Sequence, residues 1–125
     1  MTNLSQASLS VEERALLERF ASELRSRHDG EPQAVWLFGS RARGEEVRED
    51  SDVDVLVLTE DASWDGKVRI HAALQTAARA LGLEALTWSF SIHVNTPDWL
   101  AQRRKVHSFF IAEIDRDKIP LSGTP

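Results

Sequence analysis

Leu16, Leu17, Phe20 and Leu24 recur at helical spacing through VEERALLERFASELRSR and form one apolar stripe. Ser10 stands just before it with Glu13 three residues on, the spacing of a capping box, so the pattern predicts a helix beginning at Val11. Gly30 and Pro32 in HDGEP supply its stop. The polar MTNLSQASLS shows no such stripe, and residues 1–9 are expected to be loose.

AVWLF is a short apolar run ending at Gly39, which reads as a buried strand. SDVDVLVL alternates acid and aliphatic before turning wholly apolar, and the two runs are expected to pair in one sheet. Val68, Ala72, Ala78 and Leu81 then return to helical spacing in WDGKVRIHAALQTAARAL, closed by Gly82 as a C-terminal cap. LEALTWSFSIHVN alternates again and predicts a third strand. Pro97 suits the first turn of a helix in TPDWLAQRRKV, with helical character continuing past a break through HSFFIAEIDRD. LSGTP has turn composition, so residues 122–125 are expected to fray. The pattern therefore predicts a single α/β (α+β) domain over residues 1–125, a small mixed β-sheet flanked by helices.

Composition narrows the function classes. The 125 residues suit one core, and 42% hydrophobic with 28% charged residues is ordinary for a globular chain. A net charge of −5 argues against general nucleic-acid binding, which needs a basic excess to neutralise phosphates. With no cysteine, disulfides and thiolate-bound zinc are excluded. No segment reads as a secretory signal or a membrane span, which makes a cytoplasmic location the default expectation.

The chemistry concentrates in WLFGSRARGEEVREDSDVDVLVL, residues 36–58. Gly39 after a strand lets the backbone approach a ligand, and the Ser40 hydroxyl can donate to a phosphate oxygen. RARG is expected to open a short helix, and Arg41 and Arg43 add candidate charge-assisted contacts to the same anion. Asp52 and Asp54, two apart, leave the same face of a strand and come within reach of a common cation. Magnesium suits them, because it takes hard oxygen ligands and shares them with phosphates. Two other motifs fail. GSRARGEE has the glycine spacing of a P-loop but places Glu45 and Glu46 where Lys and Ser or Thr must stand, and DSDVDV has Val55 where a calcium loop needs Gly.

LFGSRARGE followed by DSDVDVLV resembles the minimal nucleotidyltransferases of the polymerase-beta-like superfamily. Eleven residues separate Ser40 from Asp52, close to that family's spacing, and the likeness extends over residues 34–121. The resemblance implies that Ser40 contacts a nucleoside triphosphate, in the first instance ATP. It also implies that Asp52 and Asp54 hold two magnesium ions for in-line transfer of a nucleoside monophosphate to a hydroxyl. Such proteins usually draw a third carboxylate from the next strand. Here Ser91 stands at that position, with Ser89 and His93 on the same face by the two-residue period.

His93 is a candidate base or metal ligand, and Glu84 a poorer one near the start of the strand. Trp36, Trp88, Phe90, Phe109 and Phe110 are read as core or partly exposed packing, and the basic run QRRKVH as a solvated face. His28, His71 and His107 receive no role. Two functions stand open. One is an enzyme modifying a protein or small-molecule hydroxyl. The other is a binding or antitoxin module that lacks the third acid. The resemblance implies a helical HEPN-type partner in a toxin–antitoxin pair, and the small size suggests that a partner or a homodimer completes the acceptor site.

Overall fold

The computed structural model describes residues 4–27, 34–48 and 51–123. The HDGEP stop, Asp50 of the calcium-loop comparison and the chain's outermost residues at each end lie outside that set.

Helix α1, Val11–Arg27, opens on the capping box: the Glu13 N–H donates to Ser10 Oγ at 3.0 Å and the Ser10 N–H to Glu13 Oε1 at 2.9 Å. Strands β1, Ala34–Phe38, and β2, Val53–Leu58, pair antiparallel. Helix α2, Trp64–Leu81, then crosses over so that β3, Phe90–Asn95, runs parallel to β2. Gly82 caps the last turn as expected, in the left-handed region at φ 69°, and at the other end Ser63 Oγ accepts from the Gly66 N–H. Helices α3, Pro97–Lys105, and α4, Phe109–Asp117, follow, with the predicted break at His107, whose φ is 54°. Strand β4, Ile119–Gly123, returns beside β1 and gives the mixed order β3-β2-β1-β4.

The alternation along the strands sorts the core into two layers. Val35, Leu37, Val53, Val55 and Val57 face α1 and α2, where Leu16, Leu17, Phe20 and Leu24 complete the larger cluster. Trp36, Phe38, Leu56 and Leu58 face α3 and α4 and meet Leu100, Ile111 and Ile114. The sheet is thus flanked by helices on both faces, as the pattern predicted.

Four expectations are corrected. Residues 4–9 are not loose: Leu4–Gln6 forms a 3₁₀ turn, and Leu4, Ala7 and Leu9 pack on the core beneath it. The Ser8 N–H donates to the Arg41 carbonyl at 2.8 Å, a tether that local composition does not reveal. Residues 122 and 123 do not fray, because the outer edge of β1 takes Ile119–Gly123 as a partner, with Pro120 on an edge strand where it is tolerated. The third strand begins at Phe90; Glu84–Ser89 is a 3₁₀ turn, which removes Ser89 and Glu84 from the strand face. Trp88 and Phe109 are not packing residues, being 90% and 78% exposed. The basic run is by contrast the solvated face expected, exposed from Gln102 to His107, with Arg104 paired to Asp115 at 2.6 Å on that surface and Arg103 5.9 Å from the Trp99 ring centre.

Candidate nucleotide site

The C-terminal end of β1 and the N-terminal end of β2 meet at one edge of the α3/α4 layer, because the antiparallel register sets Phe38 opposite Asp54. The parallel register on the other side of β2 sets Ser91 beside Asp54. Gly39 follows at φ 81°, and a Cβ there would lie 2.6 Å from Asp54 Oδ2. Only glycine lets the turn close this tightly over the carboxylate. Ser40 comes next, its hydroxyl 3.4 Å from that of Ser51. The turn is a single one rather than the short helix that RARG suggested, held by the Arg43 N–H to the Gly39 carbonyl at 3.1 Å and closed at Gly44, φ 77°.

Arg41 and Arg43 part company here. The Arg41 side chain is buried and directs four of its five N–H groups into the protein. Nε and Nη2 donate to Ser51 Oγ and the Ser51 carbonyl at 3.0 Å each, and Nη1 donates to the Ser8 carbonyl at 3.0 Å and to Glu13 Oε1 at 2.8 Å. It therefore clamps the turn to the start of β2, the N-terminal segment and α1, and is not disposed to reach a phosphate. Burial pushes the Glu13 carboxyl up, but the bonds from Arg41 and the Ser10 N–H outweigh it and hold it below the ordinary glutamate range. Arg43 stays in the cleft, drawn by Glu45 at 2.5 Å and Asp117 at 3.2 Å.

Asp54 is half-buried and Asp52, just ahead of β2, is exposed. Burial raises the Asp54 pKa; His93 opposes that shift and the Asp52 charge adds to it. A cation between the two carboxylates would relieve both penalties. His93 sits opposite Leu56 with its ring 5.4 Å from that of Phe38 and Nε2 3.3 Å from Ser91 Oγ. Among the described residues, no three Asp, Glu or His side chains gather into a self-sufficient metal cage. Two carboxylates with neighbouring hydroxyls suit instead an ion that keeps water and takes substrate phosphate oxygens, as magnesium does.

Phe38, Gly39, Ser40, Arg43 and Asp54 form one side of a cleft of about 340 Å³. The other side is α4, through Phe110, Glu113, Ile114 and Asp117. Sequence reasoning missed this wall. The signal was available in the 110, 113, 114, 117 spacing, which is one helix face.

A family model described as nucleotidyltransferase domain matches residues 17–119. No curated protein and no solved structure matches the chain. No helix among the described residues is long and apolar enough to cross a membrane.

Proposed function

The chain belongs to the nucleotidyltransferase domain family, and from that premise we propose a magnesium-dependent enzyme moving a nucleoside monophosphate from ATP or another nucleoside triphosphate to a hydroxyl on a protein or small molecule. The observation that carries this reading is the closure of the Gly39–Ser40 turn over Asp54 within one cleft. Ser40 and the turn backbone would hold the triphosphate, with Arg43 swinging from Glu45 and Asp117 onto it. Asp52 and Asp54 would hold the two magnesium ions, phosphate oxygens and water completing their shells; bound there, magnesium neutralises the phosphates and supports in-line displacement.

In that displacement the acceptor oxygen bonds to the α-phosphorus as the bond to the β-phosphate bridging oxygen breaks, and pyrophosphate leaves. The hydroxyl proton passes to water, because a carboxylate holding the magnesium ions loses the burial and Asp52 repulsion that raise Asp54 on its own and is no longer a base. His93, close to Ser91 on the neighbouring strand, would orient groups at the same edge. The acceptor is bound with help from a partner, a second copy or a helical HEPN-type protein in a toxin–antitoxin pair. Exposed apolar side chains such as Trp64 and Trp88 support a surface of that kind.

Calorimetric titration of non-hydrolysable ATP and GTP analogues, with and without magnesium, tests the site on wild type and on Asp52→Ala/Asp54→Ala. Magnesium-dependent binding abolished in the double variant is the expected result, and no binding by wild type would refute the proposal. Ser91 beside Asp54 favours a second reading, a nucleotide-binding or antitoxin module with impaired transfer. Transfer of labelled nucleotide gained only on Ser91→Asp would establish that second reading.

A further inference from the structure

The α4 wall of the cleft carries two side chains to which the triphosphate and metal reading gives no role. Phe110 and Glu113 lie about one helical turn apart and both line the cleft with Gly39, Ser40 and Asp54. The Phe110 ring meets Phe38 edge to face, with centroids 5.9 Å apart and planes at 86°. That geometry covers at most one of its two faces, and the residue remains 45% exposed. Phe38 directly precedes Gly39, so the half-bare ring stands within a nucleotide's length of the phosphate turn.

Resting on the nucleotide reading above, we infer that Phe110 and Glu113 form the nucleobase subsite: the base stacks on the Phe110 ring, and the Glu113 carboxylate accepts from its exocyclic amino group. Any base has a π-face that gains from covering an apolar ring. The carboxylate adds the selection. Ionised, it is an acceptor only, so it rewards an amino donor and repels the two carbonyls that flank the single N–H of uracil. The site therefore takes amino-bearing nucleotides, with adenine and cytosine ahead of uracil.

The test is calorimetry in magnesium on the whole chain, using inorganic tripolyphosphate and the non-hydrolysable triphosphates of adenosine, purine riboside and uridine. Purine riboside differs from adenosine only by the missing amino group. Wild type, Phe110→Ala, Phe110→Trp and Glu113→Ala are compared, with thermal melts confirming that each is folded. Phe110→Ala is expected to weaken the adenosine analogue about 5- to 100-fold, and Phe110→Trp to restore it, while tripolyphosphate is unchanged. On wild type the adenosine analogue is expected to bind about tenfold tighter than the purine riboside and uridine analogues, an advantage that Glu113→Ala removes. Equal loss of tripolyphosphate and adenosine analogue on Phe110→Ala, or nucleoside triphosphates no tighter than tripolyphosphate on wild type, would overturn the stacking role. Equal affinity for adenosine and uridine analogues on wild type would overturn the Glu113 role. Failure of tripolyphosphate itself to bind wild type would instead remove the triphosphate site, and the subsite with it.

Discussion

Arg41→Ala separates a structural clamp from a phosphate ligand. The side chain is buried, 4% exposed against 12% for its partner Glu13, and makes four hydrogen bonds. Truncation leaves the Glu13 carboxylate without its cation and takes donors from the Ser8 and Ser51 carbonyls. Removing one partner of a buried pair costs about 3–5 kcal/mol, and because Glu13 keeps its Ser10 bonds the low end, about 3 kcal/mol, applies. For a domain of this size that lowers the melting temperature by on the order of 10 °C. Thermal and urea unfolding of wild type, Arg41→Ala, Arg41→Lys and Arg43→Ala measure it. Arg41→Lys keeps the charge without the fork and is expected to fall between.

Arg43→Ala, whose side chain is 34% exposed, is expected to cost at most about 1 kcal/mol in stability while weakening tripolyphosphate binding. An Arg41→Ala variant that melts within about 2 °C of wild type and yet loses nucleotide would refute the clamp. The same contact sets a pH dependence. The folded Glu13 pKa lies below the unfolded one, so its contribution is present above about pH 4.3 and is lost as pH falls through the folded value. The stability gap between wild type and Glu13→Gln is therefore expected to close as urea titrations are carried from pH 6 to about pH 3. A gap unchanged across that range would contradict the assignment.

The remaining expectations concern the turn and the neighbouring strand. Gly39→Ala meets both a left-handed backbone and an Asp54 oxygen 2.6 Å from the new Cβ, so a loss of about 1–3 kcal/mol together with magnesium-dependent nucleotide binding is expected by melting and calorimetry. Gly82→Ala is the control, because its φ is 69° with nothing within 4 Å of the Cβ; it is expected to lose some stability and no binding, and equal binding loss in both variants would refute the close-approach argument. Ser91→Asp places a second carboxylate beside Asp54, so its melting temperature is expected to fall without magnesium and recover with it. A shift indifferent to magnesium would show that no shared cation site forms there.

Local signals carried the larger part of the fold. The stripe of α1, its capping box, Gly82 at the end of α2, and the two apolar runs of β1 and β2 each depend on neighbours within a few residues, which is the range over which sequence pattern and structure are coupled. The errors share an opposite property. Leu4, Ala7 and Leu9 look like scattered apolar residues until the Arg41 carbonyl and side chain, more than thirty positions away, hold the segment down. Residues 121–123, the start of the turn-like LSGTP, become the end of a strand because β1 offers an edge to pair with. Neither partner is visible from the segment itself.

The site divides along the same line. Gly39 and Ser40 fall in the expected turn after β1 because turn geometry acts locally, and the register places Ser91 beside Asp54, whereas Asp52 lies just ahead of β2, beyond the strand period that was to align it with Asp54. Arg41 and Arg43 were indistinguishable in sequence, two positive side chains two apart on one loop. What separates them is which acids the fold brings near: Glu13 from α1 captures Arg41 in a buried pocket, whereas Glu45 and Asp117 hold Arg43 at the mouth of the cleft. A guanidinium already donating four bonds inside the protein gains little from a phosphate that would have to displace them. One held by two partly exposed carboxylates loses little by exchanging them for a stronger anion. Proximity of both arginines to the Gly39–Ser40 turn therefore does not make them equivalent, and the long-range acid partner decides which one is locked inside the fold and which one stays in the cleft.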